Sequence, residues 1–356
     1  MGLERNVSRR SIFAALGLIP AIRALRGQSQ DSAVFSTGVK VVNLFANVRN
    51  KSGAIVKDLT KDDFLLSEDD RAQEIRYFSQ ESDLPLTLGL LVDTSGSQRR
   101  LIEEERSASY RFFEQVLRPE KDVAFVIHFD FDTELLQDIT PSRRLLEKAL
   151  EELEAPTGRQ QQRGRQGGQQ VPFPFPGGGG RGRGGRGGQG GGRQQRGGGT
   201  VLYDAVMLAS DELMRKQSGR KALIVLSDGV DTGSKVSLST AVEAAQRADT
   251  LVYSILFEDP EMYGGLVLGR GGLGGGMDGK RVLQQISRET GGRFFEVSRK
   301  SPLAKVYDEI DEDLRHQYSL GYSPDRTEAA KTYHRIRLTT RQKGLTVQTR
   351  EGYYGV

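Results

Sequence analysis

Leu86-Thr87-Leu88-Gly89-Leu90-Leu91-Val92-Asp93-Thr94-Ser95-Gly96-Ser97 runs from an almost unbroken apolar segment straight into one carboxylate and two hydroxyls. An apolar run this short, closed by small polar residues, reads as a strand buried on both faces, the kind found in parallel sheets. Asp93, Ser95 and Ser97 stand at alternate positions of the turn that follows. A tight turn at the end of a buried strand aims alternate side chains into one small volume. Their oxygens are hard donors, which suit Mg²⁺, an ion that takes one or two carboxylates and keeps positions for water or ligand.

Outward from this strand the chain alternates. Residues 101–117 carry Leu101, Ala108, Phe112 and Val116 on one helical face, and 123–129 is a second buried strand. A short strand at 134–139 precedes a helix over 141–153, with Thr140 as its N-cap and Pro141 in first position. Leu202, Val206, Ala209 and Leu213 line a further helix. Strands at 222–226, 251–257 and 293–297 then alternate with helices at 239–248, 281–290 and 303–314. Such alternation predicts an α/β fold with a doubly wound, mostly parallel sheet covered on both faces. Two features fall on its edge. Thr200 sits just before a helix, and the strand ending at Ser227 runs into Asp228-Gly229. In doubly wound sheets, sites lie beyond the carboxyl ends of the strands, where the strand order reverses.

The flanks have β character. Val42, Leu44, Ala46 and Val48 alternate with Asn43, Phe45, Asn47 and Arg49, and Ile336 and Leu338 repeat the pattern near the other end. Each flank is short for an independent β domain. The expectation is one β-sandwich built from 34–83 and 316–356, with the α/β domain of 84–315 inserted between its halves.

The 356 residues hold 36% hydrophobic and 28% charged side chains, enough apolar material for a core. Cysteine is absent, which excludes disulfide scaffolds, thiolate metal sites and cysteine nucleophiles. His128, His316 and His334 are widely spaced, against a histidine-rich zinc site. The net charge of +4 is local in origin: residues 1–30 carry +4 and residues 157–199 carry +8, leaving −8 on the rest. Residues 157–199 hold nineteen Gly and eight Arg in 43 positions, too little apolar surface to offset ordering, so this insert is expected to be disordered. The leader has Arg5, Arg9 and Arg10 ahead of an apolar run at 12–22, too short to span a bilayer. Ser8-Arg9-Arg10-Ser11-Ile12-Phe13 resembles a twin-arginine export signal. An exported protein, periplasmic or extracellular and without a transmembrane segment, is the expectation.

Asp93-x-Ser95-x-Ser97, Thr200 and Asp228-Gly229 together resemble the metal-ion-dependent adhesion site of von Willebrand factor A (VWA) domains, over 84–315. The segment 56–64 and Gly352-Tyr353-Tyr354 resemble a bacterial family of exported VWA-related proteins. The resemblance implies strand order 3-2-1-4-5-6. It implies Ser95, Ser97 and Thr200 as direct or ligand-dependent metal ligands, with Asp93 and Asp228 often acting through water. The ion implied is Mg²⁺, with Mn²⁺ or Ca²⁺ as alternatives, and the partner a protein that completes the shell with an Asp or Glu carboxylate. The chain departs from the family by placing its 43-residue insert directly before Thr200, which bears on access to the site.

Other readings are weaker. A hydrolase would need a nucleophile setting that Ser95 lacks, and no histidine has a triad context, so the chain reads as non-enzymatic. Nucleic-acid or polyanion binding rests on the Arg/Gly insert alone, whose two Phe sit among prolines, while the folded part is acidic. A purely structural role would leave the converging hydroxyls unexplained. His128 reads as a packed core histidine, and Asp231, Glu258 and Asp259 as solvated loop charges.

Overall fold

The computed structural model describes residues 41–80, 84–96, 98, 102–153, 199–257, 275–324 and 332–355. The leader at 1–30, nearly all of the 157–199 insert, Ser97, Glu258 and Asp259 lie outside the described residues.

Four strands open the described chain: β1 (Val42–Arg49), β2 (Phe64–Glu68), β3 (Arg71–Gln73) and β4 (Ile75–Gln80). The apolar run forms β5 (Leu86–Asp93), buried at all eight positions. Then follow α1 (Ile102–Val116), β6 (Val123–Phe129), β7 (Thr133–Thr140), α2 (Arg143–Glu151), α3 (Leu202–Leu208), β8 (Arg220–Ser227), α4 (Leu238–Arg247), β9 (Leu251–Leu256), α5 (Gly275–Thr290), β10 (Phe294–Glu296) and α6 (Leu303–Arg315). The tail adds β11 (Tyr318–Tyr322), β12 (Tyr333–Thr340), β13 (Thr346–Gln348) and β14 (Gly352–Tyr354).

The central sheet has six strands in the order β10-β9-β8-β5-β6-β7. Counted from β5, that is the expected 3-2-1-4-5-6. β5 pairs in parallel with β6 on one side and β8 on the other, while β7 returns antiparallel at the edge. The order reverses at β5, and the carboxyl ends of β5 and β8 are where doubly wound sheets place their sites. Alternate side chains of β5 serve opposite faces. Leu88, Leu90 and Val92 pack with Phe112 of α1, Leu146 of α2, and Leu303 and Ile310 of α6. Leu91 packs on the other face, with Val206 of α3, Ala241 of α4 and Leu283 of α5. Each such Leu or Val side chain gains about 1.5–3 kcal/mol from burial, so the apolar run stabilises both layers at once.

The flanking strands form two four-stranded sheets, ordered β13-β1-β11-β4 and β14-β12-β2-β3. Each takes strands from both ends of the chain: Val42 of β1 faces Tyr322 of β11, and Leu66 of β2 faces Leu338 of β12. Leu44, Val48, Phe64, Leu66, Tyr318, Leu320 and Ile336 belong to one apolar cluster drawn from both sheets.

Two local expectations are corrected. Helix α2 is capped by Ser142, whose hydroxyl accepts the Leu145 N–H. Thr140 instead ends β7, and its hydroxyl accepts the Ser142 N–H at 3.1 Å. Asn47, on the face of β1 opposite the apolar set of the alternation, is buried because that face lies against α6: its amide donates to the Asp313 carbonyl at 2.8 Å. Among the described residues, no helix is long and apolar enough to cross a membrane.

Candidate metal centre

Asp93 ends β5 with no exposed surface. The Thr94 N–H continues the ladder to the Phe129 carbonyl at 2.9 Å, and the chain then turns, with the Gln98 N–H on the Ser95 carbonyl at 2.9 Å. Both Asp93 carboxylate oxygens are fixed. Oδ1 accepts the Ser95 N–H at 3.0 Å, and Oδ2 accepts the Ser227 hydroxyl at 2.7 Å. Ser227, the last residue of β8, in turn accepts the Gly229 N–H at 2.9 Å. The ends of β5 and β8 are thereby clipped together.

Asp228 follows, 3% exposed, with Oδ1 accepting the Val230 N–H at 3.0 Å. Both aspartates thus make the same local turn, in which a carboxylate takes the N–H two residues on. Gly229 has φ +78°, and a Cβ there would lie 2.3 Å from the Gly279 carbonyl oxygen of α5. Only glycine meets both the left-handed backbone and the close approach of that helix.

Thr200 is held between two loops of the same edge. Its carbonyl accepts the N–H groups of Thr232 and Gly233 at 3.1 and 3.0 Å, and the next N–H, of Val201, donates to the Asp130 carbonyl beyond β6. Asp204 of α3 accepts the N–H groups of Lys235 and Val236. Asp231, expected to be a solvated loop charge, is half-buried and accepts the Tyr203 N–H at 3.0 Å and the Ser234 hydroxyl. Its role is to staple this loop to the start of α3. Asp93, Ser95, Thr200 and Asp228 therefore lie on segments bonded to one another at the carboxyl edge of β5, β6 and β8. Ser97 is the one member of the sequence set outside the described residues.

Burial, and then the neighbouring Asp228 carboxylate, push the Asp93 carboxyl up to about 7, against the hydrogen bonds from Ser95 and Ser227 that favour its charged form. Glu105 of α1 has no exposed surface, and neither carboxylate oxygen has a hydrogen-bond partner among the described residues. Burial, then Asp93, then Glu104 hold its carboxyl well above the usual range. A donor set of carboxylates and hydroxyls, with negative charge crowded at low exposure, fits a hard divalent cation. Ser227 and Glu105 stand beside the residues expected from the sequence without being among them. Both left signals: a hydroxyl directly before Asp228, and an acid on the apolar face shared by Ile102, Ala108, Ser109 and Phe112.

Two other groups bear on the reading. His128 is half-buried rather than packed in the core. Its partner across β7 is Glu134, and its ring nitrogens contact the Thr94 hydroxyl and the Glu134 carboxylate at 3.1 and 3.2 Å. Glu68, Asp69 and His334, on the flanking strands, bring ligand atoms close enough to hold an ion. Here, though, the groups satisfy one another: His334 Nδ1 lies 2.9 Å from Asp69, and Tyr322 donates to Glu68.

No protein-family model matches the chain, and no curated protein does. Solved structures similar to it include VWA domains. One is a von Willebrand factor type A protein from Catenulispora acidiphila, 10% identical over 90% of this chain and 75% of that one, with a TM-score of 0.44. Another is the vWF domain of the type V pili tip protein Mfa5 from Porphyromonas gingivalis, 11% identical over 64% of this chain and 94% of that one, TM-score 0.41. Proximal thread matrix protein 1 from the mussel byssus, solved with a zinc-occupied MIDAS motif, is 12% identical over 70% of this chain and 50% of its own length, TM-score 0.43. The doubly wound assignment itself rests on the strand order and the two-faced packing of β5.

Proposed function

We propose that the chain is a non-enzymatic, metal-dependent protein-binding module of an exported protein, with a VWA-type domain over 84–315 set between the two halves of a β-sandwich, 34–83 and 316–356. Asp93, Ser95, Ser97, Thr200 and Asp228 would hold Mg²⁺, or Mn²⁺ or Ca²⁺ in its place. When bound, the ion would supply a positive charge with a position left for an Asp or Glu carboxylate of the partner.

The observation that supports this most is the clip between Asp93 and Ser227, which sets two acid-bearing strand ends side by side where the strand order reverses. The protein's own residues do the positioning. The Ser95 N–H and the Ser227 hydroxyl orient the two oxygens of Asp93, the Val230 N–H orients Asp228, and the backbone of 232–233 holds Thr200. Donors ordered in advance reduce the entropy lost on binding.

The test is capture of proteins from an envelope fraction on the immobilised chain, in Mg²⁺ and in EDTA, with free glutamate as competitor. The reading expects a partner retained in Mg²⁺, released by EDTA, and absent with Asp93→Ala. Equal retention in both buffers would contradict it.

A further inference from the structure

We propose that Glu105 is a third carboxylate of the cation site and increases retention of the divalent ion; the inference rests on the metal reading above. Glu105 stands in the first turn of α1, the next described element along the chain after the turn carrying Ser95. Other buried acids of the molecule have partners. Asp122 accepts the Leu86 and Arg118 N–H groups and pairs with the Arg118 guanidinium. Asp313 is held by Arg49 and Arg293. Glu68 accepts the Tyr322 hydroxyl. Glu105 has neither a hydrogen bond nor an ion pair among the described residues.

Its neighbours do not supply one. Asp93 acts on it as a like charge. Tyr307 of α6 also feels its charge, but that hydroxyl is engaged with Ser109 at 2.7 Å. Arg106, next in sequence, turns away to the carbonyls of Leu150 and Leu153 and to Glu103. A buried carboxylate without a partner is costly, and removing it from the apolar stripe of α1 would be the cheaper solution for packing alone. A divalent ion held by Asp93 is the opposite charge that this arrangement lacks. Three carboxylates against a doubly charged ion also lower its residual pull on a fourth, so Glu105 sets retention of the ion against attraction for an acidic partner.

The experiment is titration of the full chain with Mn²⁺, read by the electron paramagnetic resonance of the free ion, for the wild type, Glu105→Gln and Asp93→Ala. Melting is followed with and without Mg²⁺. Glu105→Gln is expected to weaken Mn²⁺ about tenfold, to melt no lower than the wild type without metal, and to show a smaller rise on adding Mg²⁺. Wild-type affinity in Glu105→Gln alongside loss in Asp93→Ala would overturn the role of Glu105 and leave the metal reading standing. No uptake by the wild type would overturn both. Should the amide prevent folding, Glu105→Met offers an uncharged side chain of similar length suited to the buried position. The same loss of Mn²⁺ affinity is expected of it, and wild-type affinity would again overturn the proposal.

Discussion

Asp93 concentrates the chemistry at the scale of single residues. Its carboxyl is raised by burial and by Asp228, so the folded state holds this proton more tightly than the unfolded chain does. That contribution is fully present below the unfolded value near 3.8 and is lost as pH rises toward about 7. Glu105, also raised, acts in the same direction. His316, held low by burial and by Lys57, acts oppositely below its ordinary value. Burial would raise Asp122, but the Arg118 hydrogen bonds outweigh it, and its contribution falls away only below the window. The metal-free protein is therefore expected to melt at a higher temperature at pH 5 than at pH 7.5, with Mg²⁺ raising the melt more at the higher pH. A scan of melting temperature against pH with EDTA and with Mg²⁺ measures both; a flat profile in EDTA would contradict the assignment. Ser227→Ala removes a donor to Asp93 and an acceptor for Gly229, and is expected to cost about 1–3 kcal/mol in urea denaturation.

Single elements carry the next set of consequences. The turn after β8 depends on Gly229, where the positive φ and the Gly279 carbonyl leave no room for a side chain. Gly229→Ala is expected to destabilise the fold by more than about 1 kcal/mol and to weaken Mg²⁺ binding, because the same turn presents Asp228. Calorimetric melting and metal titration of one preparation check both effects. Strand β5 was legible because burial on both faces leaves an apolar run that no half-exposed strand shows. The candidate donors Asp93, Ser95 and Asp228 stood out for a related reason: acids and hydroxyls at the end of such a run have few other uses. The cap of α2 was misread because Thr140 and Ser142 are both competent caps two residues apart, and pairing with β6 claims Thr140 for β7. Asn47 could not be read from alternation, which reports one covered face and not a second one supplied by a distant helix.

Across the whole molecule, a buried charge network joins the parts. Asp313 of α6, with 1% of its side chain exposed, meets Arg49 of β1 and Arg293 beside β10, and its backbone carbonyl accepts from Asn47. Removing one partner of such a pair strands the others. Asp313→Ala is expected to cost about 3–5 kcal/mol and to be felt by the flanking sheets and the central sheet together. Equilibrium unfolding in urea should show a single transition shifted to lower denaturant, whereas two separated transitions would mean that the parts are independent.

The central claim is that oxygen donors from separate segments meet around one divalent ion. Isothermal calorimetry with Mg²⁺ on the wild type, Asp93→Ala and Ser95→Ala tests it most directly. The account predicts saturable binding to a single site in the wild type, and none in either variant while both keep the wild-type circular dichroism spectrum. Unchanged Mg²⁺ binding in the two folded variants would contradict it.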